Sequence, residues 1–258
     1  MSVALHHVVT GIEDAPVVVL GSSLGTDLHM WDPQTRALSR RWRVVAFDAR
    51  GHGGSPCSDG PTTLDALAED VLALLDHLGV GSFAYCGLSL GGAIGQVLAA
   101  RVPDRVRALV LCCTSARFCE GAEAWRERAA RVRSEGMDWL VAPSRERWFA
   151  PGFSERQPAE ADRLLSMLPA TSPQGYAACC DALAAFDGRP LLPQITAPTL
   201  VVAGVDDPAT PVEMAEELAS GIKDAELLVV PGASHLASAE RPDEVTEAIA
   251  AHLDRNLG

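Results

Sequence analysis

The stretch "AYCGLSLGGAIG", residues 84–95, constrains this chain more than any other. The apolar run Phe83 to Cys86 reads as a strand that stops at Gly87. An apolar, glycine-broken segment restarts at Leu90 and runs as a helix to about Arg101. Ser89 stands at the joint, between Gly87 and Gly91, with Gly92 beyond. Glycine loses more conformational freedom on folding than any other residue, so a cluster around one turn needs a reason. A nucleophilic serine on a strained strand-to-helix turn supplies one. Without Cβ atoms at 87 and 91 the chain can turn sharply enough to expose the Ser89 Oγ.

The rest of the chain repeats the strand-helix alternation. Short apolar runs bounded by turn residues occur at Val17–Leu20, Val44–Phe47, Leu109–Cys113, Leu200–Ala203 and Leu227–Val230. Helix-period segments lie between them, at about Met30–Arg40, Leu64–Leu78, Pro211–Ser220 and Pro242–Leu253. Unbroken apolar strands alternating with amphipathic helices predict an α/β fold, a mostly parallel sheet covered on both faces. From about Arg117 to Pro190 the rhythm breaks: helical patterns persist, no convincing strand appears, and Trp125, Trp139 and Trp148 fall here. The expected organisation is a core of residues 1–116 and 191–258 with a helical cap, 117–190, inserted over one end of the sheet.

Open sheets of this kind bind ligands outside the carboxyl ends of their strands. The segments there are "GSSLGT" (21–26), "DARGHGGS" (48–55), "GLSLGG" (87–92), "GVDDPATP" (204–211) and "PGASHL" (231–236). A serine, an acid and a histidine therefore occur in the order Ser89, Asp206 or Asp207, His235. That is the triad order of the α/β-hydrolase fold. Asp207 is preferred as the acid: G-x-x-D-x-x-T-P places it in a turn before Pro211, which opens the next helix. Its task is to hold the imidazole tautomer and stabilise imidazolium, so it must be buried against His235. Asp206 is then the solvated neighbour.

The other histidines are worse placed. His6, His7, His77 and His252 fall in the first strand or on helices, His29 opens a helix, and His52 reads as a turn and packing residue. Acyl transfer also needs donors for an oxyanion. The expected ones are the backbone N–H of Leu90, after the nucleophile, and of Leu24, in the loop "SSLG" where many hydrolases carry H-G-x-G. No H-E-x-x-H, paired Cys or G-x-x-x-x-G-K phosphate loop is present, so neither metal nor cofactor is expected. Asp48 and Asp70 read as structural acids.

Composition narrows the partners. The net charge of −13 argues against nucleic acid and anionic membranes, and no apolar run approaches the roughly 18 residues of a membrane span. Seven Cys, an odd number without C-x-x-C spacing and several in apolar patterns (Cys86, Cys112, Cys113), read as buried reduced thiols. No basic n-region precedes the apolar segments, and a soluble cytoplasmic protein is expected.

The chain resembles α/β-hydrolases over its whole length and, within them, 3-oxoadipate enol-lactonases of aromatic-compound catabolism. "GLSLGG", "RGHG" and "GASHL" carry the wider likeness, to which "EGMDWL" (135–140) and "GVDDPATP" (204–211) add; "SSLGT" with "DLHMW" and the "RWF" segment of "RWFAPGF" (147–153) carry the narrower one. The resemblance implies hydrolysis of β-ketoadipate enol-lactone by Ser89, His235 and Asp207. Some relatives carry a fused decarboxylase at the carboxyl end; with the sequence ending at Gly258, that second activity is expected to be absent. The substrate that the resemblance implies is a small lactone with a carboxylate arm, which an acidic protein must receive at a local positive site. Residues 117–150 hold seven Arg against six acids, and Arg147 beside Trp148 in the family-like segment is the expected contact, with Arg117 and Arg145 next. Most cap Arg should instead form solvated helix pairs. Other readings keep the same triad (a carboxylesterase, a C–C bond hydrolase, a cofactor-free haloperoxidase) or discard catalysis for a ligand-binding protein on this fold.

Overall fold

Runs of Val, Leu and Phe with no polar alternation have two faces to bury, and the structure buries both. The computed structural model of the chain describes residues 2–58, 62–118 and 121–257. Among these, seven strands form one sheet: β1 (His7–Gly11), β2 (Val17–Gly21), β3 (Arg43–Phe47), β4 (Phe83–Leu88), β5 (Val106–Cys112), β6 (Thr199–Gly204) and β7 (Glu226–Val230). Their order is β1-β3-β2-β4-β5-β6-β7. β1 runs antiparallel to β3 and every other pairing is parallel. Every residue of β2, β4 and β6 is buried. β1, at the edge, leaves Val8 and Val9 exposed.

β4 departs from its expected end. It continues through Gly87 to Leu88, because Gly87 is paired with Gly21 on one side and Leu111 on the other. The turn therefore begins at Ser89 itself.

The longer helices are α1 (Asp32–Leu38), α2 (Leu64–His77), α3 (Leu90–Arg101), α4 (Gly121–Glu135), α5 (Val141–Trp148), α6 (Pro158–Leu165), α7 (Pro173–Ala185), α8 (Val212–Gly221) and α9 (Pro242–Leu257). The single helix expected over 30–40 is split into a 3-10 turn, Leu28–Trp31, and α1. Pro33 explains the break: it lacks an N–H and suits only the first turn of a helix. α3 is buried from Leu90 to Ala99, unlike the other core helices, which keep a solvent face. Between β5 and β6 the regular elements of the described residues are all helical, and α4 packs against α7. One apolar cluster runs from the sheet into these helices through Trp125, Ala129, Val132, Leu164 and Leu183. Among the described residues no helix is long and apolar enough to cross a membrane.

None of the six described cysteines forms a disulfide; Cys86, Cys112, Cys113, Cys179 and Cys180 are buried, whereas Cys57 is exposed, so burial does not extend to every thiol. Cys119 lies outside the described residues. Burial pushes the thiols of Cys86 and Cys113 well above their ordinary value, which keeps them protonated and unreactive.

Candidate active site

The turn after β4 is strained where it presents its hydroxyl. Ser89 has φ 56° and ψ −112°, a conformation that L-residues rarely adopt and that costs on the order of 1–3 kcal/mol. Its surroundings enforce it. Ser89 N–H donates to Cys112 O (3.0 Å), and its carbonyl accepts from Ala93 N–H (3.0 Å) and Thr114 Oγ1 (2.7 Å). The flanking glycines are required by close approach. A Cβ on Gly87 would lie 2.2 Å from the Gly91 carbonyl oxygen, and one on Gly91 would lie 2.2 Å from that of Gly21. Both obstacles are backbone, so neither can swing away.

β6 and β7 deliver the acid and the histidine. His235 Nδ1 lies 2.9 Å from Asp207 Oδ2, and both residues are buried. Asp207 is saturated with donors: Ala209 N–H (2.8 Å) and Thr210 N–H (3.0 Å) on Oδ1, Thr210 Oγ1 (2.6 Å) on Oδ2. Burial alone would raise its pKa, but His235 and the Thr210 donors outweigh this and hold the carboxyl below the ordinary carboxylate value. Asp206 is exposed, and among the described residues its hydrogen bonds are backbone ones, its N–H donating to Ala233 O and its carbonyl accepting from Ser234 Oγ.

The loop after β2 explains the sequence "GSSLGTDLHMW". Thr26 Oγ1 donates to Ser23 O (2.8 Å) and to Met30 Sδ (3.0 Å), Ser23 N–H reaches the same sulfur (3.2 Å), and Trp31 Nε1 donates to Gly21 O (3.2 Å). Asp48, buried at the end of β3, takes Leu28 N–H (2.7 Å) and Gly54 N–H (2.9 Å), so it ties two of the loops together. Asp70 likewise receives the buried Arg50 guanidinium on both oxygens, at 2.8 and 2.7 Å. His52 is buried, its Nδ1 3.1 Å from Arg50 O, and burial pushes its pKa down. Among the described residues neither Leu24 N–H nor Leu90 N–H has a protein acceptor.

Ser89, His235, Ser23 and Leu24 line one cavity of about 100 Å³. Helices between β5 and β6 also line it, with Trp125 and Arg128 from α4, Trp139, Arg147 and Trp148 around α5, and Tyr176 from α7. Among the described residues no carboxylate lines it. Both expected wall residues, Arg147 and Trp148, are there. Arg145 is turned to Asp162 (2.9 Å) and Arg117 is exposed; neither lines the cavity. Several of the other insert Arg form surface pairs, as with Arg131–Glu135 and Arg133–Asp181.

Arg128 and Tyr176 were not singled out by sequence reasoning. The Arg128 guanidinium lies 4.6 Å from the Trp125 ring centroid and hydrogen-bonds the Tyr176 phenol. Burial raises the Tyr176 pKa, while Arg128 and Arg147 pull it down, so both cations act on the same spot. A signal for Arg128 existed: it stands beside the buried stripe Trp125, Ala129, Val132 of α4, where a charge is out of place unless it faces something. Trp125 Nε1 is buried and has no partner among the described residues, a further donor on this wall. Among the described residues no group of three His, Cys, Asp or Glu side chains could hold a metal ion.

Residues 16–242 match the family model of the α/β-hydrolase fold. The 3-oxoadipate enol-lactonase 2 of Acinetobacter baylyi is 40% identical over 253 residues, 98% of this chain and 94% of that protein. The crystal structure of the enol-lactonase from Burkholderia xenovorans LB400 superposes with a TM-score of 0.95 at 40% identity, covering 98% of this chain and 97% of that one. A protein of Azorhizobium caulinodans named as a candidate carbamate hydrolase is 32% identical over 240 residues, 89% of this chain and 88% of that protein. The chain belongs to the α/β-hydrolase family and, within it, groups with the ester-cleaving enol-lactonases.

Proposed function

We propose that this protein hydrolyses the enol-lactone of 3-oxoadipate to 3-oxoadipate, in the catabolism of aromatic compounds, with Ser89 as nucleophile, His235 as general base and Asp207 as its partner. The observation that carries the reading is the cavity itself. Ser89 and His235 share it with two guanidinium groups and, among the described residues, no carboxylate, inside a chain of net charge −13. Such a lining suits a small anionic ester.

The chemistry follows from the geometry. Ser89 Oγ attacks the ring ester carbon while His235 Nε2 takes its proton, Nδ1 being committed to Asp207. The negative charge on the carbonyl oxygen is received by the Leu24 and Leu90 N–H groups, each such donor worth about 10²–10³ in kcat. Collapse breaks the ring C–O bond. The enol oxygen leaves with the proton from His235 and tautomerises to the ketone. Water, deprotonated by His235, then releases the acyl group as a carboxylate and restores Ser89. An enol is a better leaving group than an amine, so positioning and the oxyanion donors supply much of the rate. Residues 117–190 serve as a cap that closes this chamber and contributes its recognising side, and Arg128 with Arg147 holds the carboxylate arm.

The test is turnover. The purified protein should hydrolyse the enol-lactone with a higher kcat/KM than a neutral lactone, an aryl acetate or a carbamate of similar size. Preference for the aryl acetate would replace this reading with a general carboxylesterase, and preference for the carbamate would point to the other curated relatives.

A further inference from the structure

Glu240 ends the helical turn Ala237–Glu240, just after the His235 loop. It is 9% exposed, and its two oxygens serve different parts of the chain. Oε2 accepts from Ser234 N–H (2.6 Å), the residue before His235. Oε1 accepts from Ala150 N–H (2.7 Å), beyond the end of α5, the helix that carries Arg147 and Trp148. Further bonds follow the same seam. Ser234 Oγ lies within reach of Arg147 O (3.2 Å) and Asp206 O (3.1 Å), and Leu236 N–H donates to Trp148 O (3.0 Å).

A carboxylate is an expensive choice here. Burial pushes Glu240 up to about 7, and Asp206 and Asp207, facing it from the loop after β6, push the same way. An apolar residue of similar volume would fill the space at lower cost. What it could not do is accept a hydrogen bond on each side of the seam at once.

We propose that Glu240 is a positioning residue that fixes the His235 loop to the Arg147–Ala150 segment, so that general base and substrate wall keep one register. This rests on the reading of His235 as base and Arg147 with Trp148 as substrate wall. The role is distinct from packing, because it needs two acceptor oxygens and not merely bulk.

Glu240→Gln tests it. The amide keeps the volume but has one acceptor oxygen, so one side of the seam must let go. With the variant folded and assayed well below its Tm, kcat should fall by about 10²-fold on both the enol-lactone and a neutral aryl ester, the scale of a misplacement of about 1 Å. KM for the anionic lactone should rise severalfold, and the low-field Nδ1–H proton resonance of His235 should move. A folded variant with kcat within about twofold of wild type and an unmoved resonance overturns the proposal, whatever its Tm. If Glu240→Gln does not fold, Glu240→Asp keeps the charge and both oxygens but, one carbon shorter, cannot reach the Ser234 and Ala150 N–H groups at once. It should lower kcat on both substrates about tenfold, and wild-type kinetics there overturn the proposal equally. An enzyme that ignores the lactone but turns over the aryl ester would remove the proposed substrate and leave this test readable, since kcat on the ester and the resonance do not depend on it.

Discussion

His235 Nδ1 and Asp207 Oδ2 are 2.9 Å apart, with 6% of the His235 side chain and none of the Asp207 side chain open to solvent. A contact so sealed fixes which imidazole nitrogen carries its proton, and leaves Nε2 to face the cavity that Ser89 also lines.

Asp207→Asn should therefore cost about 10⁴ in kcat, because an amide can hold the wrong tautomer as readily as the right one. Asp206→Asn should cost little, since that side chain is exposed. Steady-state kinetics of the two variants decides between the neighbours; the reverse ranking would give the role to Asp206.

Ser89→Ala should fold and lose at least about 10³ in kcat, while a serine-directed phosphonate should label wild type at residue 89 alone. Gly91→Ala should behave in the opposite way, failing in stability before chemistry. Its Cβ would stand 2.2 Å from the Gly21 carbonyl oxygen, so α3 must shift off β2. Overpacking of that kind costs about 1–3 kcal/mol, read as a lower denaturation midpoint.

The carboxyls give stability two opposite dependences on pH. Asp207 is held below its ordinary pKa, so its contribution is present above the unfolded value near 4 and is lost as pH falls through the lower folded value. Glu240, pushed up to about 7 by burial, retains in the folded state a proton that the unfolded chain has already released. Between about pH 4.5 and 7 the unfolded state thus binds fewer protons and stability falls as pH rises, by up to about 3 kcal/mol. Glu240→Gln should flatten that slope in urea titrations run across the range. An unchanged slope would assign it to another group.

How much of this was legible beforehand depends on how local each cause is. The core strands are self-declaring, because an unbroken run such as Val17–Leu20 has no face to give to water. Spacing alone suggested the elbow and a preference for Asp207 over Asp206, and the structure sets Asp207 2.9 Å from His235 while Asp206 is exposed. The end of β4 was not legible in this way, since Gly87 stays in the strand through pairing with Gly21 and Leu111, distant in sequence. The exposure of Cys57 depends on its own surroundings, away from the apolar runs that hold the buried thiols. Arg128 and Tyr176 meet only because α4 packs on α7, and Glu240 acquires its partners from residues 150 and 234. Each is a fact of tertiary contact; only Arg128 left a local trace, its place beside the buried stripe of α4.

Arg128 and Arg147 supply the last prediction. If they hold the carboxylate arm, wild type should favour the anionic lactone over its methyl ester by about 10–150-fold in kcat/KM, the scale of a desolvated charged contact of roughly 1.5–3 kcal/mol. Arg147→Ala should erase most of that preference while leaving a neutral aryl ester nearly untouched. Arg128→Ala should do the same with an added loss, because its guanidinium also stacks on Trp125 and bonds Tyr176, and removing it loosens the wall. The comparison of substrates separates the two effects: lost recognition spares the neutral ester, and a collapsed wall does not. A preference that survives Arg147→Ala but not Arg128→Ala would place the anion at α4 alone. A wild type that favours the methyl ester would make the chamber an apolar one, with both cations serving only to hold the helices of the wall together.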